Sequence, residues 1–148
     1  MSSKSKKESK FKDMPPWLSA PTQKEIEENV GFIYEIINHN NNRYYIGQCK
    51  FHSNRTLPPL KGKRRKRHVK KESNWREYWG SCKELHDDIE KYEGKGFTRE
   101  VLIVCKSKAW MNFYETKAQF DRSVLLDPLS YNGIINCRIS SNQLRMKK

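Results

Sequence analysis

Two apolar runs rich in β-branched and aromatic residues, 30–37 and 43–49, flank the segment Asn38-His39-Asn40-Asn41-Asn42. Asparagines tolerate left-handed backbone geometry and bond their own main chain, so the two runs are expected to fold back on each other as a β-hairpin. Side chains alternate along a strand with period two. Phe32, Tyr34 and Ile36 therefore share one face, and Tyr45 and Gly47 share another on the partner strand. Two phenols thus stand on adjacent strands beside a glycine that leaves backbone bare for close approach.

Such a hairpin needs cover, and 148 residues give room for one domain with a modest core. Charged residues make up 32% of the chain against 35% apolar, so part of it is too polar to pack. The net charge of +13 and the pI of about 9.7 imply a polyanionic partner, most simply nucleic acid. No stretch reaches the ~18 apolar residues of a membrane span. No apolar signal core follows the first lysines, so a soluble, intracellular, cytoplasmic protein is expected. Cys49, Cys82, Cys105 and Cys137 are widely spaced, which disfavours zinc and favours reduced, mostly buried thiols.

Residues 1–29 read as a basic arm, lysine-rich over 1–12, and a lead-in. In the lead-in, Pro15-Pro16-Trp17 suggests an extended strap whose indole docks on the domain, and Thr22-x-x-Glu25 caps a short helix. After the hairpin, Pro58-Pro59 forbids a helix and points to an inserted loop over residues 50–72. Eight of the eleven residues 61–71 are Lys or Arg and none is acidic, so this run is either solvated or faces phosphates. The aromatics Trp75, Tyr78 and Trp79 can complete a core or stack on bases, and a domain this small favours the core. Ser81-x-x-Glu84 is expected to cap a helix with Cys82, Leu85, Ile89 and Tyr92 on one stripe. A third strand over 97–105 follows, apolar on both faces and so expected to be covered on both. Ser107 then caps a helix running to about Leu126, with Trp110, Phe113, Tyr114, Ala118, Phe120, Val124 and Leu125 as its apolar face. Asp127-Pro128 stops it, Asn132-Gly133 marks a turn, and 137–148 form a polar, basic tail.

Gly31-Phe32-Ile33-Tyr34, followed eleven positions after Tyr34 by Tyr45-Ile46-Gly47, resembles the two half-motifs of the GIY-YIG nuclease superfamily, with Phe32 as an extra residue in the first half. The resemblance covers residues 31–136, within a domain over 30–136. It implies that Tyr34 activates a water, directly or through a relay, as general base. By the same resemblance Tyr45 and an arginine bind the scissile phosphate, and a glutamate on a later helix holds one divalent metal, taken to be Mg²⁺. That glutamate is Glu115, which has no Lys or Arg at i+4 to explain it as a surface ion pair.

The arginine is either Arg64, with His68 at i+4 on one helical face, or Arg55, ten positions after Tyr45, which lacks a helix to present it. Arg64 is preferred, and Arg65 or Arg67 substitutes under a small register error. Asn132 matches an asparagine that the family places after the catalytic helix. Arg55, Lys61, Lys63, Arg65, Lys66, Arg67, Lys70 and Lys71 are the nucleic-acid-binding candidates. His68 is more readily a surface residue of a phosphate-binding patch than a catalytic one.

The expected fold is therefore α/β, a small antiparallel three-stranded sheet flanked by helices. The expected function is metal-dependent endonucleolytic hydrolysis of DNA phosphodiesters, of the phage or mobile-element homing type. With only a dozen residues beyond the domain, sequence preference is expected from the basic loop, the arms, a homodimer or a partner. The alternative is a non-catalytic nucleic-acid-binding protein on the same scaffold.

Overall fold

The computed structural model describes residues 14–145, so the basic arm over 1–12 lies outside the described residues. Strands β1 (Gly31–Asn38) and β2 (Arg43–Lys50) form the hairpin, with Asn42 in left-handed geometry at φ 63°. Strand β5 (Phe97–Cys105) pairs antiparallel with the other side of β1, which gives a three-stranded sheet in the order β2-β1-β5. The fold is α/β, as the alternation of the strands leads one to expect.

Helices cover both faces. Helix α1 (Gln23–Glu28) carries the full capping box between Thr22 and Glu25 and buries Ile26. Helix α2 (Lys83–Lys91) buries Leu85 and Ile89 against the face of Phe32, Tyr34 and Ile36. Helix α3 (Lys108–Asp121), capped by the Ser107 hydroxyl, lays Met111 on the opposite face against Ile33 and Ile46. A short helix α4 (Ser141–Leu144) lies within the polar tail.

The Trp17 strap docks as expected: its indole N–H donates to the Trp75 carbonyl, and Leu18 adds a parallel bridge to the outer edge of β5 at Glu100. Trp17, Phe32, Phe51 and Trp75 meet edge to face, and Trp75 and Trp79 are core residues.

Six local expectations are corrected. Residues 51–60 are not a loop: β3 (His52–Leu57) pairs antiparallel with β4 (Arg67–Glu72) in a separate two-stranded ribbon, and Pro58-Pro59 falls just past the end of β3, where no ladder N–H is needed. The helical face meant to present Arg64 beside His68 is therefore absent, with Arg64 in the connection and His68 in β4. The α2 cap is Cys82 rather than Ser81, and Glu84 instead pairs with Arg43 at 2.8 Å. Helix α3 ends five residues early, just before Ser123 at φ 50°, and Phe120 in its last turn and Leu125 beyond it are both exposed. Leu102 is also exposed, because a β-bulge opposite Ile33 and Tyr34 leaves it unpaired. Of the four free thiols, only Cys105 is buried and the others are half-buried.

Candidate active site

Strand β2 lies at the edge of the sheet, so groups from both faces can meet around it. On one face the Tyr34 and Tyr45 rings lie 6.2 Å apart, centroid to centroid. Gly47 sits opposite Tyr34 across the ladder, and a Cβ there would stand 2.5 Å from the Tyr34 hydroxyl oxygen and 3.0 Å from Tyr45 Cε2. Only glycine lets the two phenols close over this backbone. Gly80, at φ 81°, roofs the pair from the Trp79-Gly80-Ser81 segment, its virtual Cβ 3.3 Å from the same hydroxyl. Gly47→Ala is expected to cost about 1–3 kcal/mol by overpacking. Chemical denaturation would read this as a lower midpoint at unchanged slope.

Tyr34 is 1% exposed, and burial, reinforced by Tyr78 and Tyr45, pushes its pKa well above the ordinary phenol value. It is a neutral phenol at physiological pH. Tyr45 is half-buried, and burial raises its pKa too, while a hydrogen bond with Ser81 opposes the shift.

Helix α3 sends a polar stripe toward β2 from positions three and four apart: Asn112, Glu115 and Gln119. Gln48 Nε2 donates to Glu115 Oε1 and to Asn112 Oδ1, both at 2.9 Å, and Lys108 Nζ donates to Gln48 Oε1. Burial raises the Glu115 pKa; the Gln48 amide and the Lys108 charge oppose it. Gln119 Nε2 donates to the Ile46 carbonyl at 3.1 Å.

Asn132 braces the same residue, its Oδ1 accepting from Ile46 N at 3.0 Å and its Nδ2 donating to Ile46 O at 2.8 Å. In Asn132→Ala the carbonyl keeps Gln119 but the buried N–H loses its partner. The expected loss is about 1–3 kcal/mol, measured as a fall in thermal midpoint.

Between these elements opens a cleft of about 310 Å³, lined by Tyr45, Glu115, Gln119, Asn132, Tyr131 and Cys82 among others. Of the sequence candidates, Tyr45, Glu115 and Asn132 line it together, while Tyr34 lies behind Tyr45. Neither Arg64 nor His68 lines it; both belong to the ribbon, whose strand β3 also includes Arg55. Gln48, Gln119 and Lys108 were missed. The signal for Gln48 was its place two residues after Ile46, in phase with a buried face.

Among the described residues no three His, Cys, Asp or Glu side chains come together as a metal cage. Glu115 is a single carboxylate with Oε1 bonded to Gln48, and no described residue hydrogen-bonds its Oε2. That donor set fits a hard divalent cation of the Mg²⁺ kind, which keeps several waters and takes one or two carboxylates plus substrate phosphate oxygens.

A three-stranded antiparallel sheet with paired tyrosines on its hairpin and a carboxylate from the following helix at its edge defines a nuclease-type α/β domain. The chain matches the family described as "Putative endonuclease segE, GIY-YIG domain" over residues 17–135, and it belongs to that family. No curated protein and no solved structure matches it.

Proposed function

We propose that this protein is a divalent-metal-dependent DNA endonuclease, of the phage or mobile-element homing type. The observation that carries the proposal is the convergence of Tyr45 from β2 and Glu115 from α3 on one cleft at the sheet edge. Hydrolysis of a phosphodiester needs an in-line water, a proton acceptor, positive charge on the phosphoryl oxygens and help for the leaving alkoxide. Glu115 would hold such a cation, which when bound would supply positive charge to the phosphate being cleaved.

Tyr45 lines the cleft with its hydroxyl held by Ser81, and its role there is to meet a phosphate oxygen or a water. Tyr34, a neutral and enclosed phenol hydrogen-bonded to Tyr78 and packed on the Tyr45 ring, orients Tyr45 at the cleft rather than taking the proton itself. Gln48 holds Glu115 at one oxygen and leaves the other for the cation. Asn132 fixes the β2 edge that carries Tyr45. The basic ribbon residues, Lys61, Lys63, Arg65, Lys66, Arg67, Lys70 and Lys71, bind the duplex.

The phosphate-binding arginine is read by assaying Arg64→Ala and Arg55→Ala side by side. Both stand in the ribbon, so each change is expected to weaken DNA binding, and a fall in kcat of about 10²-fold at saturating DNA in either would bring that arginine to the scissile phosphate. The proposal itself is tested by nicking of supercoiled plasmid with Mg²⁺, which is expected to stop with chelator. Binding without nicking under any divalent metal would leave a nucleic-acid-binding protein instead.

A further inference from the structure

The ribbon β3–β4 is built for more than charge. Its root is fixed: Phe51 is fully buried against Trp75, the Ser73 amide donates to the Phe51 carbonyl, and the Ser73 hydroxyl donates to the Lys50 carbonyl. Beyond that root the strands pair with each other, and every described β4 side chain is exposed. Between the strands, residues 61–66 carry five cations, all exposed, at the tip.

Opposed residues of an antiparallel pair share a face. Asn54 faces Lys70 and Thr56 faces His68 across the ladder, with Thr56 Oγ1 3.5 Å from His68 Nδ1. One face thus offers an amide, a hydroxyl, an imidazole and an ammonium in a block. Glu72, the acid on that face, is taken up at the root by the Trp75 indole and Arg76. The other face carries Ser53, Lys71, Leu57, Val69 and Arg67, the last tied to the Pro58 carbonyl, so the polar pair Ser53 and Lys71 sits at the root and the apolar side chains lie beyond it.

A phosphate clamp needs only cations. Neutral donor–acceptor groups such as Asn and Thr, set between them at strand spacing, are the groups that read base edges. A two-stranded ribbon fits the roughly 12 Å major groove of B-DNA, and same-face side chains about 6.8 Å apart match two base-pair steps.

We infer that the ribbon is a major-groove reader of duplex DNA, with the Asn54, Thr56, His68 and Lys70 face turned to the base edges and the tip cations on the flanking phosphates. The inference rests on DNA being the substrate, and it places sequence preference inside the domain. The two tyrosines and Glu115 take no part in it.

The test is selection of binding sites from a randomised duplex library by the full chain in EDTA, followed by sequencing. Wild type is expected to enrich a short motif, with single-stranded competitor ineffective. Asn54→Ala and Thr56→Ala, at exposed positions, are each expected to lower discrimination about 5- to 100-fold at one or two motif positions while leaving the others. Lys66→Ala is expected to weaken binding to all sequences alike and to reduce the salt slope by about 1. No enriched motif, an unchanged motif in both variants, or equal competition by single strands would overturn the inference. Mg²⁺-dependent nicking is scored separately: a chain that nicks without ribbon-dependent preference loses only this inference, and one that selects a motif without nicking loses only the catalytic reading.

Discussion

Glu115→Gln is expected to lower plasmid nicking about 10²–10³-fold or more, with affinity for duplex DNA retained. The substitution keeps volume and an amide oxygen that can still accept from Gln48 Nε2, so it removes charge with little else. Stability should move the other way. Burial holds the Glu115 pKa above the ordinary carboxylate value. As pH rises through the ordinary glutamate range the unfolded chain gives up this proton while the folded chain keeps it, so wild-type stability declines until the raised folded value is passed. The glutamine variant escapes that decline and is expected to melt at the same temperature as wild type or above it near pH 7. Adding Mg²⁺ should raise the wild-type midpoint and leave the variant's unmoved, because binding to the folded state alone stabilises it. Full nicking activity in Glu115→Gln would remove the mechanism, and an equal Mg²⁺ shift in both proteins would remove Glu115 as the ligand.

What the sequence disclosed follows from which interactions are local. The hairpin is legible because period-two alternation and the asparagine turn lie within twenty residues, and β5 because its apolar run is continuous. Glu115 is legible only as an oddity, a helix carboxylate with no cation one turn on. Its partner Gln48 lies 67 positions away and becomes visible once α3 is laid on β2. The ribbon was hidden because lysine and arginine read as solvated loop, and the pairs Thr56–His68 and Asn54–Lys70 exist only after the strands are in register. Arg99 could have been found: Phe97, Arg99 and Val101 alternate in phase, so an arginine occupies a core position of a strand.

That arginine is the largest stability element the sequence leaves unannounced. Arg99 is 3% exposed and donates to the carbonyls of Tyr78, Arg76 and Pro15. Its guanidinium carbon lies 4.4 Å from the Trp17 ring centroid and 4.5 Å from that of Trp79. Burial pushes its pKa down to about 10, so it stays charged at neutral pH. No carboxylate of a described residue is bonded to it; three carbonyl dipoles and two aromatic faces, with the more distant Glu77 charge, compensate the cation. Arg99→Met keeps bulk but leaves those carbonyls without their donor, and each such loss costs about 1–3 kcal/mol. Against a total stability of about 5–15 kcal/mol, the variant is expected to lose at least about 3 and to sit near its unfolding threshold. Arg99→Lys should fall between, because one ammonium cannot span the fork that reaches three separate carbonyls.

The consequence extends to the cleft. The Tyr78 carbonyl immediately precedes the Trp79-Gly80-Ser81 segment that roofs Tyr34 and bonds Tyr45, so a loosened Arg99 frees that roof. Where Arg99→Lys still folds, its kcat is expected to fall further than its affinity for DNA. A melting temperature for Arg99→Met equal to that of wild type would show that the two tryptophans hold the strap and the roof without the cation between them.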